Sequence, residues 1–152
     1  MVSLKQRITD ETKAALLGGD RFVGDTLRNL KAAILDVEVA EGKRESGLSD
    51  AEIEKVIARE VKKRHESAKI YRDNNRPELA EPEEREAEVL MQYLPEQLDE
   101  ASLRAIVEQK VSELGVSGPA AMGQVIGAVK AQVGNTADGA LIASIVKSTL
   151  NS

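Results

Sequence analysis

Apolar residues recur at helical spacing along almost the whole chain, and nothing restricts its possible folds more. Leu4, Ile8, Thr12, Ala15 and Leu16 trace one face of a first segment. Ser3 with Gln6 reads as a capping box ahead of that segment, and Gly18-Gly19 ends it. Asp20 can cap a second helix reaching about Glu41, with Val23, Leu27, Leu30, Ile34 and Val37 on one stripe. Leu35 and Val39 widen that stripe, which predicts burial by more than one neighbour. Ser49 and Glu52 form another capping box and open a long helix through Ile53, Val56, Ile57, Val61, Ala68 and Tyr71. It fades at Asp73-Asn74-Asn75. Pro77 and Pro82 then restart the chain, each placed as if in a first helical turn, before a helix from about Glu83 to Leu94. Pro95 marks its end.

The style of the sequence changes there. No glycine lies between Gly47 and Gly115, yet six of the eleven lie from Gly115 onward. Three further helices are expected. Asp99 caps one carrying Leu103, Ile106, Val107, Val111 and Leu114. Pro119 opens one carrying Met122, Val125, Ile126, Val129 and Val133, and Asp138 caps the last, with Leu141, Ile142, Ile145, Val146 and Leu150. No segment alternates with a period of two between turns. The expected fold is therefore all-α. Long helices packed as hairpins occupy 1–94, and a small three-helix domain occupies 95–152. The second part is short enough to be marginal alone.

Composition narrows the chemistry. Aromatic residues make up 2% of the 152, namely Phe22, Tyr71 and Tyr93. That argues against a large aromatic-walled ligand site and against stacking of single-stranded bases. Cysteine is absent, which excludes disulfides, thiolate metal sites and a cysteine nucleophile. The single histidine, His65, excludes any two-histidine site and reads as a packed residue at the edge of its helix stripe. No run approaches the roughly 18 apolar residues of a membrane span, and the polar start at Met1 to Arg7 has no signal core. The default location is the cytoplasm, with no membrane partner.

The net charge of −5 argues against a generic nucleic-acid binder and against DNA, but it conceals a segregation. From Arg59 to Arg76 there are seven basic residues and three acids. From Glu78 to Glu108 there are ten acids and two basic residues. From Ser117 onward only Lys130, Asp138 and Lys147 are charged. Two readings fit. The basic and acidic helices can pack antiparallel and neutralise each other. Alternatively Arg59, Lys62, Lys63, Arg72 and Arg76 form a stripe facing phosphates. The acids of Glu81 to Glu88 fit a solvated helix start better than a metal site, and no metal or cofactor is expected. Gly123, Gly127 and Ala131 recur every fourth residue, a small-residue face that allows a close approach between helices in a soluble contact. Gly134 to Gly139 reads as a helix cap, turn and next cap, without nucleotide-loop spacing. No catalytic residue can be named, because nothing positions a nucleophile or base against a cleft.

Two groups of motifs then carry a resemblance. Arg64-His65-Glu66-Ser67, Tyr71, Arg76-Pro77-Glu78-Leu79, Glu86 and Tyr93-Leu94-Pro95 resemble the N-terminal half of the YqeY proteins. Met122-Gly123-Gln124-Val125-Ile126, Gly134-Asn135-Thr136-Ala137-Asp138-Gly139 and Ile145-Val146-Lys147 resemble their C-terminal domain. That domain also forms the tail of GatB, a subunit of the tRNA-dependent amidotransferase. Asn135-Thr136 stands where a related protein more usually has Arg or Lys before the Ala-Asp-Gly turn. The resemblance implies a tRNA-recognition module beside aminoacyl-tRNA or amidotransferase machinery. It also implies a family association with carbon–nitrogen ligase activity using glutamine as amido-N-donor. On that reading the tRNA contacts are Lys110, Lys130 and Lys147, with Arg59, Lys62, Lys63 and Arg72 as a second patch. The competing expectation is a helical protein adaptor, docking through the 78–108 region with Glu83, Glu84 and Glu88 or through the low-charge tail.

Overall fold

The computed structural model describes residues 2–151. It is all-helical as expected, with no strand among those residues. The backbone divides into two compact units, 1–94 and 95–152.

The first unit contains α1 (Leu4–Leu17), α2 (Arg21–Ala40), α3 (Asp50–Asp73) and α4 (Pro77–Met91). Gly19, at a left-handed φ of 81°, turns α1 into α2. Asn75 does the same between α3 and α4 at φ 58°, a conformation Asn tolerates better than other side chains. The core joins Ile8 of α1, Leu27, Leu30 and Ile34 of α2, Ile53, Val56, Ile57 and Val61 of α3, and Ala87 and Leu90 of α4. Each fully buried large side chain contributes about 1.5–3 kcal/mol. Tyr93 closes this core, and the Arg7 guanidinium lies 4.7 Å from its ring centroid. Arg85 of α4 stacks likewise on Phe22 of α2 at 4.1 Å.

Several expectations change. Ser3 accepts from the Gln6 N–H, but the Gln6 side chain donates to Asp10 and leaves the box half-made. The Ser49–Glu52 box is complete. Leu35 and Val39 do not widen the buried stripe of α2; they stay 43% and 58% exposed. The fourth helix begins at Pro77, not near Glu83, and Pro82 lies inside it. Ala80 is fully buried, so packing starts two residues before the second proline and carries the helix across it.

The second unit contains α5 (Glu100–Leu114), α6 (Met122–Val133) and α7 (Gly139–Leu150). Pro119 opens a 3-10 turn to Ala121, and α6 follows it. The core is aliphatic: Leu103, Val107, Val125, Val129, Ile142, Ile145 and Val146, with Val133 and Leu150 at its edges. The Leu98 N–H donates to the Thr136 carbonyl at 2.8 Å. Gln97 donates to the Asn135 carbonyl at 3.0 Å, so the lead into α5 is pinned to the α6–α7 turn. Gly123, Gly127 and Ala131 do not meet a helix. They are exposed, and a Cβ built on either glycine would touch nothing. Val125, Val129 and Val133 take the buried side instead, because their branched chains fill the core.

Candidate nucleic-acid interface

The basic patch lies on α3, and the structure divides it. Arg59 and Lys62 point to solvent and have no ion-pair partner among the described residues. Lys63 is exposed but sits 3.0 Å from Glu60, one turn earlier. Arg72 is turned to α4, where the two Glu84 oxygens accept from its Nε and Nη2 at 2.5 and 2.8 Å. A bidentate pair of this kind is the strong form of a guanidinium contact. The Glu84 carboxylate raises the Arg72 pKa, and Arg72 in turn holds Glu84 below the usual carboxylate range. Arg76 is taken up by Glu78 at 2.6 Å, and Lys69 by Asp73 at 2.8 Å.

Arg64 was outside the expected contact set, yet it organises this face. Its side chain is 12% exposed, donates to Glu86 at 3.1 Å and reaches the Glu60 carbonyl at 3.0 Å. Burial pushes Glu60 up, but hydrogen bonds from Lys63 and Arg64 outweigh it and hold the carboxyl below its ordinary value. Glu83 receives no such donor. Burial, reinforced by Glu86, pushes its pKa up. Sequence spacing carries the signal for Arg64: it falls between Val61 and Ala68 on the buried side of α3. His65 is exposed, not packed at a boundary, because the helix rotates it away from that side.

The acids expected to dock a protein are divided too. Glu84 and Glu86 face α3 and are paired, Glu83 is half-buried, and Glu81 and Glu88 are exposed. Among the described residues no three His, Asp or Glu side chains converge to hold a metal ion.

The three lysines of the second unit occupy separate places. Lys110 on α5 is half-buried and pairs with Glu113 at 3.2 Å. Lys130, exposed near the end of α6, folds over the start of α7; a Cβ on Gly139 would lie 3.6 Å from its Nζ. Lys147, also exposed, is in the last turn of α7, eight residues on. At 1.5 Å per residue it stands about 12 Å along the axis from Gly139. Neither Lys130 nor Lys147 has an ion-pair partner among the described residues. Lys147 sits where the helix dipole favours a cation. Lys130 sits where it does not, and its charge adds to the positive end of α7. Asp138 offsets part of this as the N-cap, accepting from the Leu141 N–H at 3.2 Å.

Among the described residues no helix is long and apolar enough to cross a membrane. The profile of a family described as Yqey-like protein matches residues 5–150. A Clavispora lusitaniae protein, named altered inheritance of mitochondria protein 41, mitochondrial, is 29% identical over 99 residues, covering 65% of this chain and 55% of its own. A Schizosaccharomyces pombe protein, named as uncharacterized, is 31% identical over 72 residues, covering 47% of this chain and 58% of its own. The matched stretches thus span somewhat over half the length of these relatives.

Proposed function

Because the chain belongs to the YqeY family, we propose that it is a non-catalytic helical module that binds tRNA. In this reading it works in the cytoplasm beside aminoacyl-tRNA or amidotransferase machinery. Any glutamine-dependent amide chemistry belongs to that machinery. The observation that carries the reading is the position of Lys130 over the first turn of α7. Its ammonium group and the outward N–H groups of a helix start make one positive place, and a phosphate oxygen satisfies both. Lys130 thus supplies a charge at the turn where Asn135-Thr136 does not. Lys147 offers a second backbone contact and Lys110 a third, once it leaves Glu113. On α3, Arg59 and Lys62 are available at once, Lys63 must share Glu60, and Arg72 must first release Glu84. Three rings in the chain favour a folded RNA read by shape and backbone over a stacked single strand.

The test is a tRNA titration of the whole chain at low salt, about 50 mM, repeated at about 200 mM. Binding in the micromolar range or weaker is expected, falling steeply with salt. Lys130→Glu with Lys147→Glu should weaken it about ten-fold or more. The adaptor reading predicts the opposite result: no RNA binding at either salt, and a protein partner lost on Glu83, Glu84 and Glu88 charge reversal. Undetectable tRNA binding at low salt would overturn the proposal.

A further inference from the structure

A cleft of about 280 Å³ lies between α1 and α2. Ile8 and Ile34 form its floor, and Ala32 and Leu35 form its α2 wall. Every apolar side chain in it is aliphatic. Leu35 is 43% exposed although it flanks an apolar floor. The rim carries three charges. Lys5 donates to Glu38 at 2.7 Å, and the Leu48 N–H reaches the same carboxylate at 3.1 Å, so that pair is neutral and satisfied. Lys31, half-buried on the rim, has no ion-pair partner among the described residues. The cleft therefore combines a chain-lined trough with one uncompensated positive charge.

We propose that this cleft binds a free aliphatic monocarboxylate, its chain lying along Ile8, Ile34 and Leu35 and its carboxylate against the Lys31 ammonium. Size and chemistry select that class. The volume, about 280 Å³, lies just below the usual range of drug-sized ligand sites, roughly 300–1,000 Å³, and so suits a single short chain. A single negative charge matches Lys31, whereas a cation meets repulsion from it. A flat aromatic ligand finds no ring to stack on. The site is independent of the RNA contacts, none of which lines it.

The test is a methyl NMR titration of the full chain with sodium decanoate, below its micelle concentration. Decyltrimethylammonium serves as the matched cationic probe. Saturable shifts confined to Ile8, Ala32, Ile34 and Leu35 are expected, with the cation at least about ten-fold weaker. Lys31→Glu should weaken decanoate by a similar factor, and Leu35→Trp, which fills the trough, should remove binding. Where Lys31→Glu lowers helicity, the comparison of the two head groups on the unaltered chain decides. Absence of saturation, equal affinity for both amphiphiles, or shifts spread into α5–α7 would overturn the proposal. So would the same methyl shifts on raising protein concentration alone, which would place a second copy there.

Discussion

Glu38 is an ionisable side chain only 2% exposed at the C-terminal end of the buried stripe of α2. Burying a charge costs several kcal/mol unless partners replace water. Here Lys5 and the Leu48 N–H do so, and Gly47, at a left-handed φ of 76°, turns the chain just before Leu48. Glu38→Ala strands the Leu48 N–H and should destabilise the protein by about 1–3 kcal/mol in urea denaturation. The Lys5 hydrogen bond, acting against burial, lowers the Glu38 pKa. Glu52 of the capping box is held down to about 2, first by Lys43 and then by Ser49. Both groups have folded pKa values below their unfolded ones. Their stabilisation is complete above the unfolded value, about 4.3, and is lost as pH falls through the folded ones. Thermal melts should therefore drop between about pH 4 and 2, and Glu83→Gln, which removes a carboxyl whose pKa is raised, should leave that drop in place. Glu38 was readable in principle: it lies four residues beyond Ile34 on the same helix face. Its polarity hid that position.

The α3–α4 hairpin shows how far spacing reaches at the level of whole helices. Caps and apolar periodicity located α2, α3, α5 and α7 closely, because each has an Asp or Ser N-cap that also accepts a backbone N–H in the fold. The start of α4 was missed for a physical reason. Pro82 lacks a donor and locally argues for a break, but Ala80, Ala87 and Leu90 form one buried stripe across it. On α6 the apolar spacing picked out the buried stripe, Val125, Val129 and Val133, but the small-residue face of Gly123 and Gly127 meets no helix. Small residues permit close packing without requiring it. The partition of the basic patch depends on contacts between helices, so sequence left both of its readings open. The two kinds of arginine on α3 should separate by measurement. Arg64→Ala removes bonds to Glu60 and Glu86 in a half-buried place and should cost about 1.5–3 kcal/mol. Arg59→Ala, at an exposed position, should stay within about 0.5 kcal/mol. Equal effects in chemical denaturation would mean that the pairing across the hairpin adds nothing.

At the scale of the molecule, each unit has its own closed core. The 95–152 unit is smaller and its core contains no ring, so it has less apolar surface to hold it together. Hydrogen exchange in mild denaturant should release the amides of α5–α7 at lower concentrations than those of α1–α4. Loss of protection in both units at one concentration would show a single cooperative body.

The pairing of α3 with α4 has a consequence for whatever approaches the basic side. Glu84 and Glu86 already occupy the positions that phosphate oxygens would take on Arg72 and Arg64. The chain thus carries its own resident decoy. A visiting polyanion gains nothing at those arginines until it outcompetes a carboxylate held at high effective concentration. Weakly charged acids are turned away there, and only a dense, correctly spaced row of charges can displace the incumbent.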